Sequence, residues 1–228
     1  MHPAGVMYLK IVQPDSSLTW PESAGQDPSP TAKQRAFPDR RARRREEGRN
    51  RVYETAVELF VASGFDATTM DEIADRADVA RATVFNYFQR KSAFLDEWAA
   101  RRREYAAAAV RAEHLDDHPL PEILRRYMVE LAQLSTRTRA ETVSLMGAAI
   151  HSTNVLGNPE LGHELAGFIA RAQAVGEIRP GIDAELAGLL LATGYFAILS
   201  QWIASEPAPF DLESRLLDMV DLQYAGLR

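Results

Sequence analysis

The chain has 228 residues, no cysteine and a formal net charge of −6. This is enough length for one or two domains with a real core, and it excludes a disulfide framework, a thiolate metal site and a cysteine nucleophile. The charge is uneven: up to Arg103 there are 17 basic and 15 acidic residues, and from Glu104 onward 9 and 17. A basic first half and an acidic second half imply that the first meets an anion and the second does not. No apolar run is read as approaching the roughly 20 residues of a membrane span. The short apolar stretch Val6 to Val12 is interrupted by Lys10 and lacks a small-residue cleavage site, so it is not read as a signal peptide. The expected compartment is the cytoplasm.

Residues 1–44 read as a disordered basic arm. Six of the twelve prolines fall in its first 38 positions, among Ser, Asp, Gln and Gly. Such a composition cannot bury enough apolar surface to offset its ordering entropy. Met7 reads as a second candidate start beside Met1. Arg40, Arg41, Arg43, Arg44 and Arg45 form a basic run just ahead of the first helix, with Arg43, Arg44 and Arg45 the candidates for following a phosphate backbone or entering a minor groove.

A helix is expected over about 46–63, with Val52, Ala56, Leu59 and Phe60 on its apolar face and Gly64 as its stop. Thr69 followed by Glu72 is a capping-box pattern. Met70, Ile73, Ala74 and Ala77 continue at helical spacing, and Asp78 falls where the chain must turn. A second short helix from about Ala80 to Phe88 turns Val84 and Phe88 inward. It leaves Arg81, Thr83, Asn86 and Tyr87 outside, side chains of the kinds that touch phosphates and base edges. Two helices joined this closely are a helix-turn-helix reading over residues 45–91.

The stretch GFDATTMDEIADRADVARATVFNYFQRKSAFL resembles the DNA-binding domain of TetR-family transcriptional regulators over roughly Arg49 to Leu95. It departs from that family's pattern at Asp78, where Gly is usual, at Ala80, where a capping Ser is usual, and at Phe85, where Tyr is common. The resemblance implies double-stranded DNA with a palindromic operator as partner. It places Thr69, Arg81, Ala82, Thr83, Phe85, Asn86, Tyr87 and Lys91 at that DNA, Lys91 on a phosphate.

Residues 92–228 read as a helical ligand-binding and dimerisation bundle, so the fold class is all-α. Helices are expected over about 92–114, 122–136, 140–151, 159–175, 183–205 and 212–227. Arg101 to Arg103 read as a solvated helix face. His114 and His118 around Asp116 and Asp117 have metal-like spacing, but Pro119 makes the segment a loop, and no metal or other cofactor is expected. The 183–205 helix is apolar almost all round and must be covered. It and the last helix are similar to the dimerisation end of TetR-family proteins, which implies a homodimer with Leu190 and Leu216 in the seam. Trp98, Tyr127, Met128 and Met146 are candidates for lining an effector pocket. So are His151, Phe168, Tyr195 and Trp202, because bundle pockets are mostly apolar with a few placed polar groups.

No serine elbow, phosphate-cradling glycine loop or zinc-type His-Glu motif is present, so no enzyme is expected. The function expected is a dimeric, sequence-specific repressor released from its operator by a small, largely apolar ligand. The alternative is a helical ligand-binding or enzymatic protein whose helix-turn-helix serves another partner. Retention on specific DNA discriminates the two.

Overall fold

The computed structural model describes residues 40–152 and 159–227, and all the regular structure among them is helical. Helix α1 (Arg40–Ser63) is followed by α2 (Met70–Arg76), α3 (Arg81–Tyr87) and α4 (Ala93–Ala112). Helices α5 (Leu120–Arg137), α6 (Arg139–Ser152), α7 (Pro159–Ala174), α8 (Ala184–Ile203) and α9 (Leu212–Leu227) complete the described chain.

Helix α1 begins earlier than the sequence suggests. Residues 40–44, expected in the arm, form its first turn, and residues 1–39 lie outside the described residues. Arg, Ala and Glu are strong helix formers, so the pattern RRARRREE continues the helix backwards without an apolar face. Val52, Ala56 and Phe60 then turn inward at intervals of four, and Gly64 ends the helix at φ +90°.

An aromatic cluster closes the first domain. Phe88 stacks on Phe94 at 4.0 Å between ring centroids, and Phe60 meets Phe65 at 4.8 Å and Phe94 edge-on at 5.8 Å. Phe94, Leu95 and Trp98 are buried, so the start of α4 belongs to this core and its end to the next. The expected boundary at residue 92 therefore falls just before a helix that both domains share.

In the second domain α7 and α8 pack backbone to backbone. A Cβ on Gly188 would sit 2.3 Å from the Gly162 carbonyl oxygen and 2.7 Å from the Ala166 nitrogen, so only glycine permits this crossing. The loop after Gly176 is tied down by Glu177, which accepts from the Leu120 N–H at 2.9 Å and from the Tyr224 hydroxyl at 2.9 Å. Asp183 caps α8 through the N–H groups of Glu185 and Leu186.

Helix α8 corrects one expectation. It is 20 residues long and contains an 18-residue window of mean hydropathy 1.6, so by length and composition it is apolar enough to cross a membrane. In the fold it is a bundle helix with Ala187, Leu191, Tyr195, Leu199 and Trp202 buried. Its other face, Leu186, Leu189 and Leu190, is exposed. Leu216 on α9 also departs from its expected place: it is fully buried inside its own chain, not on an outer seam.

Candidate nucleic-acid interface

Helix α2 is started by a complete capping box. The Thr69 hydroxyl accepts from the Glu72 N–H at 3.1 Å, and the Glu72 carboxylate accepts from the Thr69 N–H at 2.7 Å. The carboxylate also accepts from the Thr69 hydroxyl at 3.0 Å, and its two bonds from Thr69, backbone first and hydroxyl second, hold the Glu72 carboxyl below its ordinary range. Ile73 and Ala74 bury the inner face. Asp78 makes the turn at φ 53°, a left-handed position that Asp tolerates. Ala80 starts α3 in extended backbone without a side-chain cap.

Helix α3 turns Val84 and the following Phe88 into the core. Arg81, Ala82 and Asn86 are exposed on its opposite side, with Thr83 and Phe85 half-buried beside them. Arg81 pairs with Asp71 on α2 at 2.9 Å and lies over the Phe85 ring at 5.5 Å. Its guanidinium is thus parked at the edge of the recognition face by two weak contacts.

Two expected contacts point elsewhere. Tyr87 is half-buried and leans on α1: a Cβ on Gly48 would meet its hydroxyl at 2.9 Å. Lys91, expected on a phosphate, points into the α1–α2 turn. Its ammonium donates to the carbonyls of Phe65, Thr68 and Asp66 at 2.8, 3.1 and 3.2 Å and sits 4.6 Å from the Phe65 ring centroid. With three donors and three acceptors, the ammonium is fully used. Arg43, Arg44 and Arg45 are exposed on the first turns of α1.

The TetR-family model of bacterial regulatory proteins matches residues 52–98, from the inner face of α1 to the first turns of α4. This stretch is a TetR-family regulatory region. It is similar to the HTH-type regulator UidR of Escherichia coli, with 24% identity over 165 residues, covering 70% of this chain and 84% of UidR. To the uncharacterized HTH-type regulator YdeS of Bacillus subtilis it is 39% identical over 57 residues, 25% of this chain and 29% of that protein. The crystal structure of Thermus thermophilus FadR, a TetR-family repressor in complex with lauroyl-CoA, superposes with a TM-score of 0.62. It is 28% identical, and the match covers 79% of this chain and 95% of FadR.

Of the expected pocket residues, Trp98 lies where the two cores meet and the others that are described lie in the core of the second domain. Tyr127 and Met128 are fully buried, and Met146, Trp98, Tyr195, Trp202 and Phe168 nearly so. The side chain of His151 lies outside the described residues. Tyr127 donates to Glu164 at 2.9 Å and meets Phe168 edge-on at 5.8 Å. Burial pushes the Tyr127 phenol well above its ordinary range, and the Glu164 carboxylate adds to the shift. Trp98 donates from Nε1 to Glu141 at 2.7 Å, and Arg139 lies over Trp202 at 4.1 Å.

The expectation of a solvated face at residues 101–103 is overturned. Arg101 is held by Glu97 at 2.7 Å and Asn50 at 2.5 Å, and Arg103 lies within 4 Å of Glu160 and Glu164. Arg102 is buried. Three consecutive residues span about 200° of a helix, and here the middle one falls on the inner side. The signal was available: Leu95, Trp98, Arg102 and Ala106 share one helical stripe. In the loop after α4, His114 is exposed at φ 55°, and His118 pairs with Glu122 at 2.9 Å.

Proposed function

We propose that the protein is a homodimeric repressor that binds a palindromic operator in double-stranded DNA and leaves it when a small, largely apolar effector enters the second domain. The observation that carries this reading is the outer face of α3. Arg81, Ala82, Thr83 and Asn86 are presented by a helix that is anchored from beneath by Val84 and Phe88. A rigid helix with such a face fits a major groove. Arg43, Arg44 and Arg45 support a backbone or minor-groove contact, because guanidinium groups near a helix N-terminus add to the favourable field for an anion. The phosphate role expected of Lys91 gives way to a positioning role in the turn before α2.

Dimerisation is supported by Leu186, Leu189 and Leu190 on the outer side of α8, where a capped and well-packed helix leaves apolar surface uncovered. The effector reading is supported by the aromatic and methionine-rich core between α4 and α8, and by the FadR structure, whose protein holds an acyl-CoA. A DNA partner in a bacterial cell puts the protein in the cytoplasm.

Helix α4 is the natural transmitter. It holds α1 through Glu97 and Arg101, and α6 reaches the end of α1 through Ser144, whose hydroxyl donates to the Phe60 carbonyl at 2.7 Å. A ligand shifts operator affinity only by binding the DNA-competent and released states differently. The reading is tested by selecting duplexes from a random pool with the full chain and titrating the winner. One dimer on a palindrome, with half-sites about 34–36 Å apart or a multiple of that, is expected. Equal binding to selected and random DNA would sink it.

A further inference from the structure

Among the described residues, the Nε of Arg102 is a buried side-chain nitrogen with no hydrogen-bond partner. The rest of the guanidinium meets only neutral groups. One Nη donates to the Thr138 hydroxyl at 3.2 Å and the other to the Ser135 hydroxyl at 2.7 Å. The Tyr195 hydroxyl is close enough to Arg102 and Ser135 for both to act on its phenol. The Trp98 ring lies 4.6 Å from the guanidinium carbon. Glu141 contributes field to this site, while one of its oxygens accepts from Trp98 Nε1.

Burying a cation without a carboxylate partner costs several kcal/mol. Proteins satisfy buried guanidinium groups with anions, and a carboxylate matches the planar Nε–Nη edge in bidentate fashion. Here that edge has an unfilled donor. The Ser135 and Thr138 hydroxyls donate to the Leu131 and Leu134 carbonyls at 2.6 and 2.7 Å, and must swing from those carbonyls to donate to an arriving carboxylate. A monoanion neutralises the site, whereas a phosphate dianion would leave it with a buried negative charge. The surrounding rings of Trp98 and Tyr195 suit an apolar body.

We propose that Arg102 anchors the effector: the site takes the carboxylate of an otherwise apolar monocarboxylic acid, with Ser135, Thr138 and Tyr195 completing its hydrogen bonds. This rests on the effector-released regulator proposed above and names its ligand class. The position also suits coupling. The neighbouring Arg101 holds Asn50 on α1 and lies 3.9 Å from the Tyr53 ring centroid, so a shift of α4 at Arg102 is felt directly by the reading head.

The experiment uses the full chain on its selected duplex, followed by fluorescence anisotropy. Butanoate, octanoate, dodecanoate and benzoate are titrated beside the matching primary alcohols. At least one acid is expected to release DNA about tenfold or more below its alcohol, the factor expected for a charge-assisted pair of bonds. Arg102→Met should lose the preference for acid over alcohol, measured against its own effector-free operator affinity, and Arg102→Lys should keep part of it. Where the methionine variant fails to fold, the wild-type Nε–H resonance of Arg102 decides, since it must shift on adding the releasing acid. Alcohols that release DNA as well as their acids, a preference that survives in Arg102→Met, or an unmoved Nε–H resonance would overturn the proposal while leaving the regulator reading intact. A wild-type chain that binds no duplex specifically would instead overturn that reading.

Discussion

Glu97 on α4 holds Arg49 on α1 through both carboxylate oxygens, at 2.8 and 2.5 Å, and binds Arg101 one turn further along α4 at 2.7 Å. The Arg49 guanidinium in turn lies 4.8 Å from the Phe88 ring centroid, at the end of the recognition helix. One carboxylate thus ties the helix shared by both domains to the core beneath α3.

The Arg49 hydrogen bonds, opposed by burial and reinforced by Arg101, hold the Glu97 carboxyl at about 2 instead of 4.5. A depressed carboxyl contributes stability that is full above the unfolded value and is lost as pH falls through the folded one. The window is therefore pH 4.5 down to about 2. A shift of this size corresponds to about 3 kcal/mol, and screening at a partly exposed site reduces it to about 1–2 kcal/mol. Glu97→Gln is expected to lower stability by that amount at pH 7, with the difference from wild type shrinking through the window. Urea unfolding at a series of pH values checks this, and a pH-independent difference would mean that packing, not charge, holds the contact.

Lys91 closes the α1–α2 turn through three carbonyls. Lys91→Ala leaves three acceptors short of a strong donor and is expected to cost about 2–3 kcal/mol of stability. The salt dependence of operator binding should stay unchanged, because the ammonium is not offered to a phosphate. A fall in the salt slope of about one unit in a folded variant would show that Lys91 swings to the backbone on binding.

The sequence made the helices and the DNA-binding unit legible because their signals are local. Thr69 and Glu72 announce α2, Asp78 marks the turn, and Gly64 and Asp183 mark helix ends within a few residues of chain. The direction of long side chains was not legible. Lys91, Tyr87 and Arg102 are polar residues with flexible or bulky reach, and each lies against a neighbour distant in sequence: Lys91 bonds a turn 23–26 residues back, Tyr87 rests on a glycine of α1, and Arg102 reaches a hydroxyl of α5 with one edge only. Leu190 and Leu216 both read as apolar positions on helices, and only packing separates the exposed one from the buried one.

Arg81 is parked on Asp71 through an exposed pair at 2.9 Å. Such a pair is worth about 0–1 kcal/mol, so DNA can take the guanidinium at little cost. Asp71→Asn is expected to strengthen binding to selected and random duplexes alike, by up to about fivefold, through the freed cation and the lost anion. Arg81→Ala should relax preference at one base position while leaving random binding little changed. Equal losses on both duplexes would deny Arg81 a base-reading role.

Arg43, Arg44 and Arg45 are exposed on the first turns of α1. Replacing all three by Gln preserves helix propensity and removes charge. If each meets a phosphate, the logarithmic salt slope should fall by about 2–3 units. Unchanged slopes on the selected duplex would make the basic run a solvated helix end.

The seam is tested by two leucines that look alike in sequence. Leu190 on α8 is 54% exposed and Leu216 on α9 is 0% exposed. A glutamate at position 216 would be buried in the chain's own core without a partner, at a cost of several kcal/mol, so Leu216→Glu should fail to fold or aggregate whatever the oligomeric state. A glutamate at position 190 has solvent within reach in a single chain and is desolvated only where a second copy covers α8. Leu190→Glu is therefore expected to keep the wild-type helical spectrum, to sediment as a monomer where wild type is a dimer, and to lose operator affinity while its recognition helix stays folded. Sedimentation velocity and anisotropy on the same preparation separate the outcomes. A Leu190→Glu protein that sediments with wild type and holds the operator as tightly would place the dimer interface away from the leucine face of α8.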